Sequence, residues 1–293
     1  MQRAAVHFAT HVPFADAGQF MKEHYRVTLD EDTLRLCTYA WAKTPMDIVQ
    51  PPLAPSAANC IAEMDGCMIG QVETNKSAKD QRTTRSISYK EIKVAVVEQG
   101  KYRQYDATLQ DADVAGSMWH KLVNPCLCKD TYVHGVGDGA LWIRNQFHSF
   151  LGHRGKYLLD FYHAKDSLQK VAEEHKKKPE WLVRQKEHLL NGRASQVFQN
   201  LKRQIKAPLE QGTAATALQY LQGCREHMHY TATKARNLPI GSGLIESTHR
   251  SVIQSRMKQP GMWWGDLGVN YMLRLRLIHH NGLWETLCNR RLP

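Results

Sequence analysis

Three acidic residues, Asp65, Asp138 and Glu246, lie at positions where a carboxylate suggests a chemical role. Asp65 interrupts an apolar, strand-like run, Asp138 lies between two glycines, and Glu246 follows a turn that contains Pro and Gly. Hard carboxylate oxygens from separate elements can hold two Mg²⁺ ions roughly 4 Å apart and leave open positions for a phosphate group. Carboxylates brought so close repel one another unless metal neutralises them. The three acids therefore predict a site for Mg²⁺, or alternatively Mn²⁺, that acts on phosphodiester bonds.

Each acid taken alone also has an ordinary structural explanation, because Asp before Gly is common in turns and Glu near a helix start complements the helix dipole. A further pair, Asp160 and His163, forms an Asp-x-x-His pattern. This pair could support the site, contact DNA, or only cap the following helix with a partnered His beside it. If Asp138 proves non-essential, Asp160 is the replacement candidate.

The charge balance points to a polyanionic partner. The chain has 39 Lys and Arg against 28 Asp and Glu, a net charge of +11, which favours nucleic acid as the partner class. Several groups that follow Glu246 at helical spacing are predicted to contact DNA near the acids, namely His249, Arg250, Arg256 and Lys258. Trp263 and Trp264 could stack on bases, although core packing is the favoured interpretation.

Cysteine usage and hydropathy indicate the compartment. Seven Cys at irregular spacing, without a secretory signal, are typical of free thiols in a reducing environment. The apolar stretches are far shorter than the roughly 20 residues that a membrane span needs. We therefore expect a cytoplasmic protein without a membrane partner. Cys126 and Cys128 form the only tight pair, and no second pair with zinc-type spacing accompanies them, so a zinc site is not predicted here.

The elements that must position these residues have the pattern of an α/β fold. β-branched and alternating residues predict strands, and amphipathic spacing predicts helices. In chain order the predicted elements are strands at 59–72, 86–98 and 103–109, a helix at 113–122, a strand at 131–136, a helix at 140–151 and a strand at 156–161. Asp65 then lies within the first strand, and Asp138 lies at the end of the fourth.

The same patterns divide the chain into five segments. In order, these are a helical segment at 1–44, a proline-rich linker at 45–58, the first part of a catalytic domain at 59–163, a helical insertion at 164–235, and the last part of that domain at 236–293 with Glu246. Two helices within the first segment form either a DNA-binding helix-turn-helix or a hairpin for packing or dimerisation. The second of these helices opens with acids that would repel phosphate.

Several motifs resemble the ISKra-type family of bacterial insertion-sequence transposases, a family with a DDE motif. They are GDGA at 137–140, LDFYHA at 159–164, IGSGLIES at 240–247 and RMK at 256–258, followed by Gly261, Met262 and Trp264. The resemblance runs from near the N-terminus to about Trp284. It implies a ribonuclease-H-like mixed sheet that a helical insertion interrupts before the last acid. It also implies Mg²⁺-dependent DNA cleavage and strand transfer by a homo-oligomer on insertion-sequence ends and target DNA.

By the same resemblance, Asp65 would be the first acid of the motif, Asp138 the second and Glu246 the third, and the Asp160 and His163 pair looks like a signature of related Mutator-like transposases. Family members usually carry a longer N-terminal portion with more DNA-binding sequence, which favours a truncated copy. Two other hypotheses stay open. One is a different ribonuclease-H-like nuclease, such as a junction resolvase, which the long insertion disfavours. The other is a catalytically silent, DNA-binding remnant of a transposase.

Overall fold

The strands form one mixed sheet. The protein is represented by a computed structural model that describes residues 1–50, 59–75, 77–204 and 212–291. Its strands are β1 (Cys60–Glu73), β2 (Ser86–Gln99), β3 (Tyr102–Thr108), β4 (Val133–Gly137) and β5 (Gly155–Leu159), in the sheet order β3-β2-β1-β4-β5. β3 runs antiparallel to β2, whereas β4 runs parallel to both β1 and β5. The predicted α/β class and the five-stranded mixed sheet are confirmed.

Along the chain, helices lie before, between and after the strands, in the predicted order. They are α1 (Gln2–His11), α2 (Phe14–Tyr25), α3 (Glu31–Ala42), α4 (Ala112–Val123), α5 (Leu141–Leu151), α6 (Phe161–Glu174), α7 (Pro179–Leu190), α8 (Ala194–Lys202), α9 (Thr213–Gly223), α10 (Tyr230–Ala235), α11 (Gly243–Thr248), α12 (Ser255–Met257), α13 (Asp266–His280) and α14 (Trp284–Arg291). A π-helical turn, His249–Gln254, joins α11 to α12. The predicted order of strands and helices between β1 and β5 is confirmed.

The N-terminal segment contains one helix more than predicted. α1 buries Ala5, Val6 and Ala9, and this stripe of mostly small side chains gives only a weak periodic signal. α2 and α3 correspond to the predicted helix pair. The acid at the start of α3 has a structural role, because Asp30 accepts a hydrogen bond from the Thr33 amide at 2.8 Å and so caps the helix. Of the predicted linker, residues 51–58 lie outside the described ranges.

The chain divides into two compact units. Unit 1 comprises Met1–Ser56, Met64–Lys129 and Leu244–Pro293. Its main core consists of apolar side chains from β1 and β2, including Ile69 and Val94, together with Ile245 of α11 and Leu273 of α13. Strand and helix therefore share one interior, and this packing fixes the position of α11.

Unit 2 comprises Ala57–Glu63 and Asp130–Gly243. It contains β4, β5 and the first residues of β1, together with α5 to α10. The predicted helical insertion at 164–235 is called the helical block from here on. Val136 of β4 and Leu158 of β5 share one buried cluster with residues of this block, such as Leu201 and Leu218. The helical block is thus part of the hydrophobic core that supports the ends of β4 and β5.

Candidate active site

Asp138 occupies a tight turn at the carboxyl end of β4, in unit 2. Its side chain is half-buried, and its Oδ1 accepts a hydrogen bond from the Ala140 amide at 2.8 Å. The next residue, Gly139, has a φ of +91°, and a Cβ there would lie 2.8 Å from the Cys224 Sγ and 2.9 Å from the Leu159 Cδ1. Only glycine fits this position without strain. Gly139 of the Gly-Asp-Gly motif is thus required by the backbone conformation of the turn, whatever the chemical role of Asp138.

One buried tyrosine, Tyr157, and one partly buried tyrosine, Tyr220, hold the backbone of this turn. The Tyr220 hydroxyl on α9 donates to the Asp138 carbonyl at 2.5 Å, and the Gly139 amide donates to the Tyr157 hydroxyl oxygen at 2.9 Å. Burial raises the pKa of both phenols, so both remain neutral. Because Tyr220 belongs to the helical block, that block helps to position Asp138.

Replacing Gly139 with Ala tests this geometry. We expect Gly139→Ala to lower the free energy of unfolding by about 1–3 kcal/mol, because the new methyl group meets Cys224 and the backbone remains at positive φ. Urea unfolding measures the change. The matched control is Gly223→Ala, where a Cβ has no heavy atom within 4 Å. Equal stability of Gly139→Ala and the wild type would show that the turn is not constrained as described.

Asp160 lies directly after β5, beside the Asp138 turn, because its amide donates to the Gly137 carbonyl at 2.7 Å. Its carboxylate is fully buried. It accepts hydrogen bonds from the Tyr162 amide at 2.5 Å and the His163 amide at 3.2 Å through Oδ1. Oδ2 accepts from the Ser242 amide at 2.7 Å and from the Ser242 hydroxyl. Both oxygens are therefore occupied by protein donors.

The electrostatics of Asp160 agree with a structural role. Burial alone would raise its pKa, but hydrogen bonds from His163 and Ser242 outweigh this and lower the pKa to about 2. The His163 Nδ1 lies 3.4 Å from Oδ2, and the His163 side chain is 45% exposed. Asp160 caps α6 and ties its start to the Ser242 loop. This arrangement favours the capping interpretation and leaves Asp138 as the stronger candidate for metal binding.

Asp65 and Glu246 both belong to unit 1. Asp65 lies within β1, its side chain is 30% exposed, and its Oδ1 accepts from the Gly66 amide at 2.7 Å. The His249 Nδ1 lies 3.7 Å from the Asp65 Oδ2. Glu246 is exposed and precedes His249 by three residues, which places both side chains on the same side of the helix. The segment that carries Glu246 is therefore docked beside Asp65.

Packing below the surface supports this docking. Ile245, the neighbour of Glu246, is buried in one cluster with Cys67 and Ile69 of β1. Burial lowers the pKa of His249, and its hydrogen bond to the Asp65 backbone only partly opposes that shift. His249 is thus a neutral, buried contact between helix and strand, which differs from its predicted role as a DNA ligand.

The predicted DNA-contacting cations separate into two groups. Arg250 and Lys258 are exposed, and the Lys258 Nζ lies 3.9 Å from the Cys67 Sγ, two residues along β1 from Asp65. Arg256 is 1% exposed, and burial lowers its pKa to about 10. Its Nε donates to the Ala9 carbonyl at 2.9 Å, which ties α1 to α12. The structure therefore corrects the prediction for Arg256, because DNA cannot reach a side chain enclosed in this way.

A large groove on unit 1 combines aromatic and basic side chains. Its volume is about 1440 Å³, and its lining includes Tyr39, Trp263, Tyr271, Arg35, Lys43, Arg290 and Arg291, with Glu31, Glu73 and Asp266 as acidic members. Trp263 is half-buried over Gly70, whereas Trp264 is buried and donates to the Met257 carbonyl at 2.9 Å. Core packing is confirmed for Trp264. Trp263 remains accessible for stacking.

The residues that support the acids were not predicted from the sequence. Ser242 binds the Asp160 carboxylate, and Tyr157 and Tyr220 hold the Asp138 turn. A Ser between two glycines, at 241–243, was the available signal for Ser242. The two tyrosines carried no such signal, because their partners are distant in sequence.

The geometry defines the class as an α/β protein with a mixed five-stranded sheet and carboxylates presented near strand ends and on strand β1. The chain belongs to the uncharacterised protein family UPF0236, whose profile matches residues 101–288. The match includes Asp138 and Glu246 and begins after Asp65. No curated protein matches the chain. Within the ranges that the structure describes, no helix has both the length and the apolar character needed to cross a membrane.

Proposed function

We propose that the chain is a DDE-type DNA transposase of the ISKra type, with a ribonuclease-H-like catalytic domain. Asp65, Asp138 and Glu246 are the proposed metal ligands. The observation that carries the proposal is the docking of α11 on β1, because it brings the segment of Glu246 to Asp65 although the whole helical block separates them in sequence. The packing of α11 on β1 does not by itself require acidic residues at positions 65 and 246.

The donor chemistry fits Mg²⁺ or Mn²⁺. Asp65 and Asp138 are half-buried and Glu246 is exposed, so their carboxylates offer hard oxygens that water and phosphate can reach. Asp160 differs, because protein donors already occupy both of its oxygens. When bound, the metal pair would activate the attacking oxygen and stabilise the leaving oxygen of a phosphodiester.

The remaining residues would bind and position DNA. Arg250 and Lys258 are exposed cations near Asp65 and Glu246, where they can hold phosphate without reading sequence. In the groove of unit 1, Trp263 offers a surface for base stacking, and Arg35 and Lys43 add positive charge. The proposed partners are insertion-sequence ends and target DNA, bound by a homo-oligomer.

DNA affinity should fall steeply with salt, because neutralising phosphates releases counterions. We expect Lys258→Gln to weaken binding to all sequences similarly and to reduce the salt slope by about one. Fluorescence anisotropy across a salt series measures both quantities. Lys178→Gln, at an exposed helix end, is the control and should keep the wild-type slope. Affinity that is unchanged between low and physiological salt would contradict a phosphate-binding surface.

One assay separates the three hypotheses. The purified chain is incubated with end-labelled nicked and branched duplexes, with Mg²⁺, with Mn²⁺ and with chelator. Metal-dependent cutting together with joining of strands supports a transposase. Cutting at the branch without joining supports a nuclease or junction resolvase. Such an enzyme would use similar acids, but the helical block before Glu246 counts against it. Binding without cutting in either metal would support a catalytically silent remnant and overturn the proposal.

A further inference from the structure

Three histidines meet in unit 1, in a cluster composed of His7, His11 and His279. His7 and His11 lie one turn apart on the same face of α1, and His279 lies near the end of α13. One ring nitrogen from each lies within 4.8 Å of the others, and all three side chains are partly buried. It is the one group of three or more His, Cys, Asp or Glu with metal-binding spacing in the ranges that the structure describes.

The rings are in contact, yet part of their hydrogen-bonding capacity is unused. The His11 and His279 ring centroids are 4.2 Å apart, and His7 lies 4.9 Å from His11 and 5.7 Å from His279. The His11 Nε2 and the His279 Nδ1 are buried without a hydrogen-bond partner among the described residues. Buried polar atoms that lack a partner cost stability, so such a pair needs an explanation. A shared cation supplies one.

The cluster is neutral and so can donate lone pairs. Burial lowers the pKa of all three histidines, and the neighbouring Arg276 and His279 lower that of His11 further, to about 3. Neutral imidazole is the form that binds metal. One existing contact competes, since an Nη1 hydrogen of Arg276 points at the His11 Nδ1 at 3.2 Å. The same Nη1 also donates to the Thr10 carbonyl at 3.2 Å, so releasing His11 would not leave it unpaired.

A fourth ligand position is accessible from solvent. His7 lines a surface cavity of about 410 Å³ together with Arg3, Trp284 and Glu285. The Glu285 carboxylate is engaged with Arg3 at 2.5 Å, so water is the expected fourth ligand. Three histidines and one exchangeable position form a common zinc ligand set.

We propose that His7, His11 and His279 bind a divalent transition metal of the zinc class and so link α1 to α13. Tetrahedral Zn²⁺ with Zn–N bonds of about 2.0–2.1 Å requires the three nitrogens to approach one another from their present separation. Rotation of the three partly buried rings can provide this. Imidazole suits Zn²⁺, Co²⁺, Ni²⁺ and Cu²⁺ and not Mg²⁺, so the site is chemically distinct from the carboxylates and independent of the transposase proposal.

Zinc binding to the full chain tests the inference. The protein is stripped with chelator, and Zn²⁺ is titrated against a chromophoric chelator, while the visible spectrum with Co²⁺ reports tetrahedral nitrogen coordination. We expect about one Zn²⁺ per chain and a higher Tm with zinc. The affinity for Zn²⁺ should fall by about tenfold or more in His7→Gln and in His279→Gln. His24→Gln, an exposed histidine on α2, should bind as the wild type does.

Two further measurements check the folding of the variants and the independence of the zinc site from the carboxylates. Circular dichroism in chelator checks that each variant folds, and if His279→Gln does not, His7→Gln at the cavity edge carries the test alone. Glu246→Gln should keep zinc binding, since the carboxylates are not involved. The inference is overturned if the wild type does not bind zinc, if His7→Gln binds it normally, or if Glu246→Gln loses it.

Discussion

Glu246→Gln should abolish metal-dependent DNA cleavage and leave DNA affinity near or above the wild-type value. Gln keeps the size and hydrogen bonding of Glu but removes the charge that holds the metal, so cleavage should fall by orders of magnitude. DNA binding should persist, because Lys258 and Arg250 are unchanged and one negative charge is gone. Cleavage rates under single-turnover conditions and anisotropy on the same duplex measure the two quantities separately.

A matched control exists for this variant. Glu180 is also exposed and also lies in the first turn of a helix, at the start of α7. Glu180→Gln removes an equivalent charge far from the proposed ligands in sequence, and its cleavage should equal that of the wild type. If Glu246→Gln cleaves normally, or if Glu180→Gln loses cleavage equally, Glu246 does not have the role proposed for it.

Asp138→Asn should remove DNA cleavage without lowering stability, whereas the main effect of Asp160→Asn should be on stability. Asp138→Asn keeps an oxygen for the Ala140 amide, so the protein should unfold as the wild type does but lose cleavage by orders of magnitude. Asp160→Asn turns an amide group towards donors such as Ser242, so it should lower the free energy of unfolding by about 2–4 kcal/mol. Urea unfolding and cleavage assays, both corrected for the folded fraction, separate the two effects. Loss of cleavage in stable Asp160→Asn, with full activity in Asp138→Asn, would reverse the assignment.

The pH dependence of stability follows from the same contacts. The pKa of Asp160 is lowered on folding from 3.8 to about 2, so its ionised form stabilises the folded state. At about 1.4 kcal/mol per pKa unit, this amounts to about 2 kcal/mol above pH 4. The contribution should decline as the pH falls from about 4 towards 2, and Asp160→Asn should lack this decline.

The strands and the helix that follows β4 were predictable because their signals are local. Alternating β-branched residues mark β1 and β2, and large apolar residues at helical spacing mark α5. The position of Asp65 on a strand followed from the same signal. α1 was missed, since the side chains that it buries are small ones, Ala5, Val6, Ala9 and Thr10, which give only a weak periodic signal.

The candidate site was predictable only in part, because long-range contacts decide which face of a helix is buried. Helical spacing placed Arg256 among the cations after Glu246, yet α1 covers it and the Ala9 carbonyl binds it. Similarly, the Asp-x-x-His pattern did not reveal that Ser242 completes the hydrogen bonds of Asp160. The position of Glu246 depended on the core that Ile245 shares with β1, which no local pattern contains.

Counting bound Mn²⁺ tests most directly the claim that Asp65, Asp138 and Glu246 hold the catalytic metal. Mn²⁺ prefers oxygen ligands, and the electron paramagnetic resonance signal of free Mn²⁺ decreases as the ion binds to protein. In the presence of duplex DNA, we predict about two Mn²⁺ per chain for the wild type. Asp65→Asn, Asp138→Asn and Glu246→Gln should each lose this binding, while Glu180→Gln should keep it. Wild-type Mn²⁺ binding in all three carboxylate variants would contradict the account.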